Sequence, residues 1–124
     1  MSPSAVARRQ VLIVEDDADL RDMMAQLLAL EGYPAATVAN GLEALEYLAQ
    51  SDRPDVILLD LMMPVMDGWE FRRQQQSNPT VANVPVIVLT ALDHKRTSDV
   101  SAAAVLKKPL DFDRLLDLVR QHCR

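Results

Sequence analysis

Short apolar runs recur along the chain and alternate with stretches in which apolar residues return every three or four positions. Val11–Val14 (VLIV), Asp55–Leu59 (DVILL) and Pro85–Leu89 (PVIVL) are rich in β-branched residues and show no polar alternation. That pattern marks strands covered on both faces. Pro34–Val38 and Ala103–Lys107 are weaker strand candidates. Asp17–Leu30 sets Leu20, Met24, Leu27 and Leu28 on one helical face and is ended by Gly32. Asn40, with Glu43 three residues on, starts a second helix carrying Leu42, Leu45 and Leu48. A third runs from Gly68 to about Gln76 and stops at Ser77-Asn78-Pro79. Asp111 caps a last helix with Phe112, Leu115, Leu116 and Val119 facing inward. Strands that alternate with helices predict an α/β fold, a parallel sheet with helices on both faces.

Length and composition narrow the picture. A chain of 124 residues, about half apolar and a quarter charged, is one domain with a proper core. Residues 1–9 are small, polar and basic and read as a flexible tail, leaving 10–124 as the folded domain. A net charge of −5 argues against nucleic acid as the main partner. The N-terminus lacks a signal-peptide core and no apolar run approaches membrane-spanning length. The single cysteine, Cys123, has no mate within the chain. A cytoplasmic protein is the expectation.

One stretch carries chemistry. In DVILLDLMMPVMDG, residues 55–68, Asp60 stands in the middle of apolar sequence, where an ionised carboxylate is costly unless something pairs with it. In open parallel sheets ligands sit at the carboxyl ends of strands. The residues standing there are Glu15, Asp16 and Asp17 after the first strand, then Asp60, Thr90 and Lys108. Glu15, Asp16 and Asp60 repel one another and call for a hard cation such as Mg²⁺. A carboxylate beside Mg²⁺, with a hydroxyl and an ammonium in reach, is suited to phosphoryl transfer. Asp60 would be the in-line nucleophile, Thr90 and Lys108 would bind the equatorial oxygens, and the product would be an aspartyl phosphate.

VLIVEDD, DVILLDLMMPVMDG, PVIVLTA and LKKPL occur in that order, with 44 residues from Asp16 to Asp60 and 30 from Asp60 to Thr90. Over Gln10 to Cys123 the sequence resembles the receiver domain of two-component response regulators. The resemblance implies a flavodoxin-like, doubly wound, five-stranded parallel sheet of order 2-1-3-4-5. It implies phosphorylation of Asp60 by a sensor histidine kinase or histidine phosphotransfer protein, with a downstream protein target and with dimerisation left open. Mg²⁺ would be held by Asp16, Asp60 and the Met62 backbone carbonyl, with Glu15 helping. Lys108 would pair with the phosphoryl group and Thr90 would shift toward it. Pro64, Asp67 and Gly68 fit the loop that shapes the site, and Lys108–Pro109 the cis peptide that aims the lysine inward. Such a domain is a signalling phosphoacceptor that catalyses only its own phosphorylation and dephosphorylation, not an enzyme acting on other substrates.

The sequence also departs from the family. Val105 stands three residues before Lys108, where an aromatic switch residue is usual, and no Phe, Tyr or Trp occurs from Ala91 to Pro109. Ala91–Lys107 is short by roughly one helical turn, so the helix expected there is a single turn or loop. Met62 and Leu92, both near the phosphoryl group, are apolar and cannot orient an attacking water, which predicts slow self-dephosphorylation. His94 and His122 show no metal-ligand spacing and read as surface residues. Trp69 and Phe71 read as packing for the third helix. Two other functions compete: a degenerate receiver acting as a phosphorylation-independent interaction module, and a nucleotide- or flavin-binding enzyme. The second fails because three glycines, Gly32, Gly41 and Gly68, make neither GxGxxG nor a P-loop.

Overall fold

The apolar runs become strands β1 (Val11–Val14), β2 (Ala35–Val38), β3 (Val56–Asp60), β4 (Val86–Thr90) and β5 (Ala104–Lys107). Between and after them lie helices α1 (Ala18–Leu30), α2 (Gly41–Gln50), α3 (Gly68–Gln76) and α4 (Phe112–His122). The computed structural model describes residues 10–92, 97 and 100–123. The tail expected over 1–9, His94, and the rest of residues 93–96, 98 and 99 in the stretch read as a shortened helix lie outside them. All strands pair in parallel in the order β2-β1-β3-β4-β5, the expected doubly wound topology.

Strand alternation divides the core in two. Val11, Ile13, Val56, Leu58, Ile87 and Leu89 pack with Met24 and Leu28 of α1 and Leu115, Leu116, Leu118 and Val119 of α4. Leu12, Val14, Ile57, Leu59, Val86 and Val88 face the other way, onto Ala44 and Leu48 of α2, Phe71 of α3, and Val81 and Val84 of the chain that follows it. β1, β3 and β4 are therefore buried on both sides, and each fully buried Leu, Ile or Val contributes about 1.5–3 kcal/mol. The inward face of α2 differs from the expected one. Ala44 and Leu48 are buried with Gly41, while Leu42 is exposed. Gly41 hydrogen-bonds the chain before α3, and that close approach turns the small residues inward in place of Leu42.

Each of these helices begins at an acidic or amide cap. Asp17, Asn40, Asp67 and Asp111 accept hydrogen bonds from first-turn N–H groups, a contact worth about 1 kcal/mol each. α1 ends as expected at Gly32, whose φ of +90° lets the Gly32 and Tyr33 N–H groups reach the Ala29 and Leu28 carbonyls.

Candidate functional site

Four connections bring the acidic and basic residues to one edge. Glu15 follows β1 and its N–H bonds the Val38 carbonyl of β2. Asp60 and Thr90 are the last residues of β3 and β4, which places both one step inside the sheet compared with a loop position. Lys108 follows β5; its N–H donates to the Thr90 carbonyl at 2.8 Å, and its peptide to Pro109 is cis, as expected.

Side chains converge accordingly. Carboxylate oxygens of Glu15, Asp16 and Asp60 lie within 4.8 Å of one another. Glu15 and Asp60 are buried and Asp16 is exposed. The Lys108 ammonium donates to Glu15 Oε1 at 2.9 Å and lies 3.6 Å from Asp60 Oδ2. The lysine thus closes on Glu15 more tightly than on Asp60. Asp60 Oδ1 accepts the Met62 N–H at 3.4 Å. Glu15 Oε2 also accepts the Asp17 N–H, and the Glu15 carbonyl accepts from Arg21 Nη1. The buried Thr90 hydroxyl accepts the Leu92 N–H at 3.0 Å. Val105 is half-exposed on the edge strand β5 and lies outside this cluster.

Electrostatics at Asp60 favour the neutral acid. Burial and the charge of Glu15 push its pKa up to about 7, the hydrogen bond with Asp16 adds to the rise, and Lys108 and the Met62 N–H oppose it. For Lys108, burial alone would lower the pKa, but the hydrogen bond to Glu15 and the nearby Asp60 charge raise it overall. A hard divalent cation among the three carboxylates would offset their mutual repulsion, so the donor set fits Mg²⁺.

The loop from β3 to α3 forms one wall. Gly68 N–H bonds the Leu61 carbonyl, and a Cβ at Gly68 would lie 2.7 Å from the Asp60 carbonyl oxygen and 2.8 Å from Leu61 Cα. Within this loop Met66 N–H donates to the Pro64 carbonyl across Val65, whose φ is +69°. That is a γ-turn in a conformation a β-branched residue rarely adopts. Sequence reasoning missed this strained position and also Gln75. Gln75 is a fully buried amide that donates to the Val81 and Val84 carbonyls and accepts from Arg72, which in turn donates to the Ser101 carbonyl. A cleft of about 630 Å³ lined by Asp52, Arg53, Asp55, Asn83 and His122, among others, lies at the amino ends of β3 and β4, away from the Glu15–Asp16–Asp60 cluster.

Comparison with known proteins follows the same edge. Residues 11–120 match the family model described as the response regulator receiver domain. This chain belongs to the response regulator receiver family. It is 40% identical over 115 residues to response regulator MprA of Mycobacterium ulcerans and 39% identical to that of Mycobacterium leprae. Each match covers 90% of this chain and 48–49% of the relative, so the chain spans about half the length of those curated relatives. Among solved structures, the signal receiver domain of a histidine kinase from Syntrophus aciditrophicus aligns with a TM-score of 0.83 and 33% identity over 90% of this chain and 86% of that one. The receiver domain of a sensor histidine kinase from Pseudomonas aeruginosa PAO1, with magnesium coordinated in its active-site cleft, aligns at 0.84 and 28% over 94% and 98%. The chain is thus a receiver domain of the two-component type. Among its described residues no helix is long and apolar enough to cross a membrane.

Proposed function

We propose that Asp60 is a phosphoacceptor and that its phosphorylation, dependent on Mg²⁺, changes the binding of a downstream protein. The observation that carries this reading is the buried Asp60 carboxylate held among Glu15, Asp16 and Lys108. Asp16, Asp60 and the Met62 carbonyl would hold the ion, with Glu15 helping. When bound, it supplies charge neutralisation between carboxylate and incoming phosphoryl group.

An Asp60 oxygen attacks phosphorus while the N–P bond of a phosphohistidine on a sensor kinase or phosphotransfer protein breaks. The electron pair of that bond leaves with the imidazole. Lys108, already 3.6 Å from Asp60, pairs with a phosphoryl oxygen, and the Thr90 O–H donates to another. The domain catalyses only its own phosphorylation and hydrolysis, and the cytoplasm is the compartment this reading assigns. Met62 and Leu92 offer attacking water no side-chain acceptor, so the phosphorylated form is long-lived.

Intact-protein mass after incubation with Mg²⁺ and acetyl phosphate tests the reading. Gain of one phosphoryl group in the parent and none in Asp60→Asn is the expected result. Absence of both phosphorylation and Mg²⁺ binding would favour the phosphorylation-independent interaction module.

A further inference from the structure

Methionine is unevenly exposed in this chain. Met24 is fully buried in the core, Met63 and Met66 are partly buried, and Met62 is 57% exposed. Met62 is also tied to the phosphoacceptor: its N–H donates to Asp60 Oδ1, and its chain neighbour Leu61 is fully buried. An accessible thioether thus stands two residues from the carboxylate. Its apolar character is the feature that denies attacking water a partner there.

We propose that Met62 is an oxidation site through which peroxide shortens the lifetime of phosphorylated Asp60. This inference rests on the phosphoacceptor reading above. A sulfur lone pair attacks one oxygen of a hydroperoxide, the O–O bond breaks, and an S–O bond forms. The second peroxide oxygen leaves with the protons as water, or as an alcohol from an organic peroxide. Sulfur undergoes a two-electron oxidation to the sulfoxide, and the peroxide is reduced. The product places a strong hydrogen-bond acceptor beside the phosphoryl group, where the thioether had almost none. A water that donates to the sulfoxide oxygen is oriented toward phosphorus, and hydrolysis accelerates. Sulfoxide reduction restores the apolar side chain and the slow decay.

The test uses the whole chain, treated briefly with hydrogen peroxide, desalted, and then phosphorylated with acetyl phosphate and Mg²⁺. Peptide mass mapping locates the oxidation, and intact mass follows decay of the phosphoryl adduct. Met62 is expected to oxidise well ahead of Met24. Decay is expected to quicken about fivefold, the worth of one neutral hydrogen bond in the transition state. Methionine sulfoxide reductase should reverse the change. Met62→Leu, compared with its own untreated decay, should lose the peroxide response, and Met23→Leu should keep it. Oxidation of Met62 with unchanged decay overturns the proposal, as does oxidation of Met62 no faster than Met24. An untreated protein that takes up no phosphoryl group overturns the phosphoacceptor reading itself. The lifetime effect falls with it, while the oxidation map still decides the modification.

Discussion

The chain leaves β3 and β4 at neighbouring points on the same edge, yet the two exits are built by different means. After Asp60 the backbone holds itself, with Gly68 bonded to Leu61, Met66 to Pro64 and Gly41 to Met66. After Thr90 the described residues combine local bonds, Leu92 N–H to Thr90 Oγ1 and Val100 N–H to the Thr97 carbonyl, with a bond from Ala103 N–H to the Val86 carbonyl and a side-chain tether from α3. Arg72 of α3 reaches the Ser101 carbonyl, and Val100 is buried against the α2–α3 side of the sheet. Gln75 extends that tether to the Val81 and Val84 carbonyls. The first exit leaves no room for a Cβ at Gly68, and the second is tied to α3 by the Arg72 side chain. Adding a Cβ should therefore damage one, and truncating a side chain should damage the other.

Gly68→Ala probes the first exit and is expected to have the largest effect. Its Cβ would meet backbone atoms, which cannot move aside as a side chain can, so a loss of about 3 kcal/mol is expected in urea unfolding. A neutral result would mean the wall is less rigid than the close approach implies.

Asp60→Asn is next, and it acts in the opposite direction. The folded-state pKa of Asp60 is raised from 3.8 to about 7, so the native state holds an extra proton between those values. Its stabilising contribution is present below about pH 4 and is lost as pH rises through about 7. Metal-free Asp60→Asn should therefore be more stable than the parent at pH 8 by ~2 kcal/mol, with the advantage shrinking toward pH 5. Millimolar Mg²⁺ at pH 8 should stabilise the parent and leave the variant nearly unchanged. Thermal melts across pH, with and without Mg²⁺, read both effects. An advantage independent of pH would show that Asp60 is not the titrating group.

Arg72→Leu breaks the second exit by removing the bonds to Ser101 and Gln75, at an expected cost of about 1.5 kcal/mol. Hydrogen exchange should quicken at Val100 to Ala103 and not at Leu61 to Gly68. Equal quickening in both would erase the distinction between the two exits. Val65→Gly is the smallest change and sharpens the contrast from the other side. Val65 is 77% exposed, so little packing is lost, and relief of its positive φ should stabilise the protein by about 1 kcal/mol.

Much of the molecule was legible in the sequence because its signals are local. Buried parallel strands need continuous β-branched runs, and helices need caps, so β1, β3, β4, α1 and α4 could be placed to within a residue or so. Spacing along alternating strands also brought Glu15, Asp16, Asp60, Thr90 and Lys108 to one edge, because parallel crossovers return every strand in the same direction. Tertiary contacts decided the rest. Leu42 turned outward because α2 brings Gly41 close against Met66 of the β3–α3 loop and Phe71, while Ala44 and Leu48 are buried in the core. Lys108 pairs first with Glu15, since only the assembled sheet sets which carboxylate lies nearer. The positive φ of Val65 and the reach of Gln75 have no local signature either. Each is imposed by where neighbouring elements end, and that is a property of the folded chain alone.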